Sequence, residues 1–251
     1  MKRNMIRLLL LLFFAVVHGN LYAGKIVLSN DEWEFTNYGF SQAVSDSGIF
    51  ATNVASWFTG GPTGNFLAYS SNFGLTGSSL ANTMTSAGHG WTVTTGISFD
   101  LATLSAYDGV FLAGDAADNS VLIDYVNNGG SVYLAGGTGW GGAYAEANRW
   151  NTFLNNFGLG FGAPYNGVGG NIPISSAHEI FNGVNYLYQN NGNNALDIDI
   201  TNPNSQLLVS YRGRGLYAIY DDTVSVAEPS ALILLASGMF GVILARRKAR
   251  V

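Results

Sequence analysis

The chain has 251 residues, 11 basic and 16 acidic side chains, a formal net charge of −5 and no cysteine. The lack of cysteine excludes disulfide bonds, thiolate nucleophiles and cysteine-ligated metal sites. Seven basic residues lie in the first 23 and last 25 residues, so residues 24–226 hold four basic against fifteen acidic side chains, about −11. We expect no nucleic-acid partner, because nucleic-acid phosphates are bound mainly through lysine and arginine.

The N-terminus has the layout of a secretory signal peptide. Lys2, Arg3 and Arg7 precede an apolar run at residues 8–17, and Ala23 supplies a small residue at a plausible cleavage position. This order of charged, apolar and small residues predicts a signal peptide over residues 1–23. An uncleaved anchor is the alternative, but ten apolar residues are few for a permanent span.

The first half of the exported part contains short apolar runs separated by glycine and proline. Residues 25–29 predict a strand, residues 40–58 and 78–87 predict helices, and residues 91–95 predict a second strand. Between the two helices, Gly60-Gly61-Pro62 breaks the chain. Residues 101–106 predict a short helical or turn connection.

The central part alternates strands and helices most clearly. Residues 107–114 and 131–135 predict buried strands, and residues 119–127 and 144–157 predict helices with apolar faces. Strands that alternate with helices pair in parallel through right-handed crossovers. The sequence therefore predicts an α/β fold with a doubly wound, mainly parallel sheet.

The pattern changes after Gly158. A glycine-rich loop is followed by an apolar stretch at residues 172–174, and then by two β-rich runs at residues 207–211 and 216–220. The two runs flank Arg-Gly-Arg-Gly and predict a hairpin, which would form an antiparallel C-terminal edge. We expect one exported domain over residues 24–222 and a linker with a membrane segment over residues 223–251.

The C-terminal segment predicts a single transmembrane helix. Residues 230–245 carry no charge, and as a helix they would span about 24 Å, close to a hydrocarbon core of ~30 Å. A core helix is the alternative, but it does not explain a terminal helix that is apolar on every side. Four basic residues would hold its far end in the cytoplasm: Arg246, Arg247, Lys248 and Arg250.

This tail resembles the PEP-CTERM sorting domain of Gram-negative bacteria. The resemblance is carried by Glu228-Pro229, the apolar helix with small residues and the basic end, while Ala227 stands where that motif has its first proline. It implies recognition by an exosortase at the cell-envelope membrane, delivery to the cell surface or the extracellular space, and association with extracellular polysaccharide.

The middle of the chain is similar to the class I glutamine-amidotransferase-like, flavodoxin-like fold. Residues 104–112, 122–134 and 178–184 carry this resemblance. An amidotransferase has a cysteine on the turn after a central strand, where this chain has Gly136-Gly137-Thr138-Gly139. Cysteine-dependent glutamine hydrolysis is therefore excluded.

Ligands of open α/β sheets bind beyond the carboxyl ends of the strands. The candidate ligand site comprises the acidic, aromatic and hydroxyl residues expected there, together with one histidine: Asp31, Glu32, Trp33, Asp115, Asp118, Thr138, Trp140 and His178. Carboxylates beside tryptophans suit a sugar or calcium. The alternative is that the acidic loops are only solvated. Thr138 could act as a nucleophile only with a base in reach, and the exported part has just His89 and His178.

These observations predict an exported, surface-sorted and noncatalytic protein of the extracellular polysaccharide matrix. We expect the exosortase, the membrane and polysaccharide to be its partners. We expect no cofactor; among cations, calcium is the one that the carboxylates would suit. The alternative is a carbohydrate-active hydrolase that uses carboxylates at the strand ends, which would need a general acid and base at a defined separation.

Overall fold

The computed structural model describes residues 24–225. The strands in this part are β1 (Lys25–Ser29), β2 (Asn65–Tyr69), β3 (Gly90–Val93), β4 (Gly109–Ala113), β5 (Ser131–Ala135), β6 (Leu159–Tyr165), β7 (Gly169–Pro173), β8 (Tyr186–Asn190), β9 (Asn193–Ile198), β10 (Ser205–Tyr211) and β11 (Arg214–Asp221). The α-helices are α1 (Asn37–Ser41), α2 (Ser47–Thr59), α3 (Phe73–Thr76), α4 (Ser78–Ser86), α5 (Leu101–Leu104), α6 (Asn119–Asn127) and α7 (Ala143–Leu154). Short 3₁₀ helices cover Trp33–Phe35, Asn155–Phe157, Glu179–Phe181 and Asp222–Ser225.

The main sheet has seven strands in the order β10-β11-β1-β5-β4-β2-β3. The five strands from β1 to β3 in this order are parallel, whereas β11 runs antiparallel to β1 and β10 antiparallel to β11. The prediction of an α/β fold with a mainly parallel sheet and an antiparallel C-terminal edge is confirmed at this level. Two further pairs, β6 with β9 and β7 with β8, lie outside this sheet.

Helices and loops cover both faces of the sheet, and this explains the composition of its central strands. All five residues of β4 and all five of β5 are buried. On one face, Phe111 and Tyr133 pack with residues of α2 and α4. On the other face, Val110 and Val132 pack with residues of α6 and α7. Parallel strands covered on both faces are apolar at nearly every position, which is why the sequence revealed these two most clearly.

The predicted second half of the sheet agrees well with the structure. Trp150, Phe153 and Leu154 of α7 are buried, as their spacing predicted. The hairpin forms between β10 and β11, and its turn residues Arg212 and Gly213 have φ angles of 50° and 74°. Two positive φ angles in a two-residue connection are the pattern of a type I′ turn, which suits the twist of the paired strands.

Other elements were missed or misplaced by the sequence patterns. Strand β2, which lies between β4 and the edge strand β3, was not predicted from the sequence. The helix expected at residues 40–58 is in fact two helices, because α1 ends at Ser41 and α2 begins at Ser47. The segment expected to be a glycine-rich loop after Gly158 instead begins with strand β6.

Both terminal segments lie outside the described residues. The N-terminal one, residues 1–23, is the predicted signal peptide. The C-terminal one, residues 226–251, contains the predicted sorting motif and transmembrane helix. Within residues 24–225, no helix combines the length and the hydropathy needed to cross a membrane.

Candidate functional site at the carboxyl ends of the strands

Four parallel strands, β1, β5, β4 and β2, end at the same edge of the sheet. In open α/β sheets this edge is where ligands bind. The loops after β1, β4 and β5 carry seven of the eight predicted site residues: Asp31, Glu32, Trp33, Asp115, Asp118, Thr138 and Trp140. The edge therefore brings together most of the set that the sequence predicted.

Asp31 is fully buried and holds two loops together. One carboxyl oxygen accepts a hydrogen bond from the backbone N–H of Trp33 at 2.9 Å, and the other accepts one from the backbone N–H of Asn190 at 2.6 Å. Burial raises the pKa of Asp31 to about 6, although these backbone donors oppose the rise. Asp31 thus joins the end of β1 to the end of β8, and it presents no free carboxylate to solvent.

Glu32 and Glu146 are two further buried acids at this edge, and their charges interact. Glu32 is 3% exposed and Glu146, on α7, is 1% exposed. Burial, followed by the charge of Asp31 and the smaller effects of Glu146 and Glu34, raises the pKa of Glu32 to about 8, although a hydrogen bond with the Asn72 side chain opposes the rise. Each side chain has one carboxyl oxygen without a hydrogen-bond partner among the described residues. At neutral pH, Glu32 is therefore protonated beside a second acid.

Glu146 is the main partner of Thr138. Its Oε1 accepts hydrogen bonds from the Thr138 backbone N–H at 3.1 Å and from the Thr138 hydroxyl. Burial raises the pKa of Glu146, whereas these two donors and the nearby Arg149 guanidinium favour its ionised form. The group within hydrogen-bond reach of Thr138 is thus a carboxyl rather than either of the histidines that the sequence analysis considered.

A third buried acid, Glu34, lies in the core behind this edge. Its Oε1 accepts a hydrogen bond of 2.5 Å from the Tyr133 hydroxyl, and burial raises its pKa to about 8. Tyr217 and Gln189 are also buried, and each has side-chain polar atoms without a hydrogen-bond partner in the described part of the chain. We call Asp31, Glu32, Glu34 and Glu146 the acid cluster.

The two predicted acids after β4 have structural roles. Asp115 accepts hydrogen bonds from the Ser71 backbone N–H at 2.5 Å and from its hydroxyl at 2.9 Å, which joins the loops after β4 and β2. Asp118 caps α6 by accepting from the backbone N–H of Ser120 at 2.8 Å. An aspartate that caps a helix stabilises it without any ligand.

Trp140 is half exposed, and the Arg149 guanidinium lies over its ring. The same guanidinium donates a hydrogen bond of 3.2 Å to the Gly114 carbonyl oxygen. Arg149 therefore connects the loops after β4 and β5, and a cation over an indole face is a favourable contact.

His178 does not join this edge. It precedes the 3₁₀ helix Glu179–Phe181, and its ring contacts Trp57 with centroids 5.4 Å apart. The charge of Lys25, the first residue of β1, also acts on it, which places it towards the opposite edge of the sheet. A cleft of about 470 Å³ there is lined by Lys25, Trp57 and Glu179 among others. Burial lowers the pKa of His178.

An exposed group of rings lies beside the buried acids. Trp33 contacts Tyr38, Phe73 and Tyr188, with ring centroids 6.0, 5.2 and 6.2 Å away, and Tyr38 lies 5.1 Å from Tyr188. Tyr38 is 52% exposed and Phe73 is 49% exposed. We call these four residues the aromatic surface. Of them, the sequence analysis identified only Trp33.

Glu146 was also missed, although the sequence held a signal for it. Glu146 lies four residues before Trp150 and seven before Phe153, so it shares the apolar face of the predicted helix. A carboxylate on a buried helix face indicates a specific polar environment. The aromatic surface had no comparable signal, because its members come from four separate elements of the chain.

Within residues 24–225, no group of three or more histidine, aspartate or glutamate side chains is arranged to hold a metal ion. The acid cluster consists largely of groups that share protons and hydrogen bonds with neighbours.

No protein-family model matches the chain, and no curated protein or solved structure matches it significantly.

Proposed function

We propose that this chain is an exported, surface-sorted and noncatalytic protein of the extracellular polysaccharide matrix, whose tail is recognised by an exosortase. The support for export and sorting comes from the signal-peptide pattern and the resemblance of the tail to PEP-CTERM domains. In this proposal the α/β domain, a relative of the amidotransferase-like fold without its cysteine, is the part delivered to the outside.

One observation supports the noncatalytic part of the proposal above all others. The acids at the carboxyl ends of the strands are buried, as Asp31, Glu32 and Glu146 are, bound to a neighbouring loop, as Asp115 is, or engaged in capping a helix, as Asp118 is. A general acid or base must reach the reacting group of the substrate within hydrogen-bond distance. In the arrangement described here these acids stabilise loops instead.

The carbohydrate-active hydrolase remains a second candidate because of the Thr138–Glu146–Glu32 group. A glycosidase needs one protonated and one ionised carboxyl group at the same site. Glu32 has a pKa of about 8, while Thr138 and Arg149 favour the ionised form of Glu146. Burial raises the pKa of Glu146 as well, so the hydrolase requires that Thr138 and Arg149 keep Glu146 ionised while Glu32 holds its proton. For turnover, the half-buried loop at Thr138 would have to open and admit the substrate.

Export and sorting are tested by mass spectrometry of the protein from a host with an exosortase and from the same host without it. We expect an N-terminus at Gly24 in both hosts, and a C-terminus near Glu228 only where the exosortase is present. A chain with Met1 and Val251 intact in both hosts would contradict the sorting proposal.

Catalysis is tested by incubating the full chain with polysaccharides and measuring new reducing ends. We expect none above background. Turnover that is lost in Glu146→Gln but kept in Asp124→Asn, an exposed change on α6, would replace the noncatalytic proposal by the hydrolase.

A further inference from the structure

The aromatic surface has no role in the core of the domain. Tyr38 and Phe73 are each about half exposed, at 52% and 49%, and they contact Trp33 rather than the apolar clusters on either face of the sheet. Scattered exposed apolar side chains are ordinary, but a contiguous exposed group marks a binding surface more often. Trp33 contacts each of the other three rings and so joins them into such a group.

The backbone holds these rings in place before any ligand arrives. The Trp33 N–H is bound by Asp31, and Phe73 opens helix α3, which Asn72 caps by accepting from the Gly74 N–H at 2.6 Å. Tyr38 lies in α1, whose first turn is capped by Thr36. Rings that are fixed in advance lose little conformational entropy when they bind, which favours recognition by a shallow surface.

The surroundings of the rings are polar but lack cationic groups. Asn37 precedes Tyr38, Asn190 is the last residue of the strand that carries Tyr188, and Asn191 follows it; all three are exposed. Of the four basic side chains in the described part, Arg149 shares this edge of the sheet but lies over the Trp140 ring, Lys25 is at the start of β1, and Arg212 and Arg214 are at the β10–β11 turn. An acidic domain without cations at this surface repels polyanions and anionic bilayers.

A neutral sugar chain fits both features. The C–H groups on one face of a pyranose ring carry small positive charges and pack against the negative face of an aromatic ring. The hydroxyl groups at its rim can exchange hydrogen bonds with asparagine amides. We propose that the aromatic surface binds a neutral polysaccharide, with sugar rings stacked on Trp33, Tyr38 and Phe73. This inference rests on the proposed function, for which it names the binding surface and the class of ligand.

The test is affinity electrophoresis of the full chain, in a mild detergent, through gels that contain laminarin, dextran or galactomannan. We expect at least one of these neutral polysaccharides to retard the protein. The double variant Tyr38→Ser/Phe73→Ser should lose at least tenfold in affinity, because both half-exposed rings are removed. Tyr144→Ser is the matched control, since Tyr144 is 66% exposed on α7, a helix that packs on the opposite face of the sheet from α2.

Three results would overturn the inference. The first is that none of the three glycans retards the protein. The second is that the double variant and the wild type are retarded equally. The third is that the protein binds polyanionic alginate or phosphatidylcholine vesicles more tightly than the neutral glycans. Circular dichroism of the double variant, with Tyr38→Phe as a variant that keeps the ring, shows whether a loss reflects unfolding. Export is scored separately, so a protein that is exported but binds no glycan overturns only this inference.

Discussion

The acid cluster and the aromatic surface share the segment 31–38, and the exposure of their residues there is the reverse of what residue type alone would give. Asp31, Glu32 and Glu34 are at most 3% exposed, while the neighbouring Trp33 is partly exposed and Tyr38 is half exposed. Charged residues are normally outside and aromatic residues inside. This inversion teaches that the acids at the strand ends serve the fold, while the rings are available to a partner.

The two regions also differ in how much they change with pH. Glu32 and Glu34 each have a pKa of about 8 against an ordinary value of 4.5. They are therefore neutral at pH 7, and the domain carries less negative charge than its composition suggests. In the aromatic surface, burial raises the pKa of the Tyr188 hydroxyl above its ordinary value of 10, so Tyr188 stays neutral over the same range.

The largest expected effect follows from these two carboxyls. A group that binds its proton more tightly in the folded chain stabilises the fold fully below its unfolded pKa, and this contribution is lost as pH rises to the folded pKa. We expect the free energy of unfolding to fall by several kcal/mol, at about 1.4 kcal/mol per pKa unit, between about pH 5 and pH 8. Urea unfolding at several pH values measures it.

Glu34→Gln separates the contribution of Glu34 from the rest. Glutamine keeps an oxygen that can accept from the Tyr133 hydroxyl but does not titrate, so the fall in stability with pH should become clearly shallower. Asp124→Asn, on an exposed face of α6, should leave the slope unchanged. A Glu34→Gln variant with the wild-type slope would show that Glu34 is not a source of the pH dependence.

The next effect concerns the loop connection made by Asp31. Asp31→Ala leaves the N–H groups of Trp33 and Asn190 without their acceptor in a buried place. An unsatisfied buried donor costs roughly 1–3 kcal/mol, so we expect a loss of about 3 kcal/mol in urea unfolding. Asp31→Asn retains an accepting oxygen and should lose less. Equal stabilities of Asp31→Ala and wild type would contradict a structural role.

Glu146 should give a smaller effect that depends on the replacement. Glu146→Gln keeps an acceptor for both donors of Thr138 and removes a partly desolvated charge, so its stability should lie within about 1 kcal/mol of wild type. Glu146→Ala removes the acceptor and leaves a space below Thr138, for which roughly 2 kcal/mol or more is expected. Thermal unfolding of the two variants checks this, and the reverse order would mean that the charge itself stabilises the loop.

Some strands of the sheet could be predicted from the sequence and others could not. Strands β4 and β5 were predictable because burial on both faces makes them apolar at every position. Strand β2 also has a buried centre, but it begins with the exposed Asn65 directly after a glycine- and proline-rich break, so its five residues gave no periodic signal.

The site was predictable by location but not by the role of its residues. Parallel pairing places the ends of β1, β4 and β5 at one edge, which brought Asp31, Asp115 and Thr138 together as predicted. Whether a carboxyl at that edge is free or buried depends on segments far along the chain, such as the Asn190 backbone that covers Asp31. Such long-range contacts leave no local pattern in the sequence.

The smallest effect on stability is expected at the aromatic surface, and this sharpens the contrast with the acids. Tyr38 is 52% exposed, so Tyr38→Ser should change the free energy of unfolding by no more than about 0.5 kcal/mol, as for most surface changes. Phe35, three residues earlier and 1% exposed, stacks near Phe50 and Tyr133, and Phe35→Ser should cost about 3–5 kcal/mol. If Tyr38→Ser were as damaging as Phe35→Ser, the rings would be part of the core, and their exposure would no longer argue for a partner.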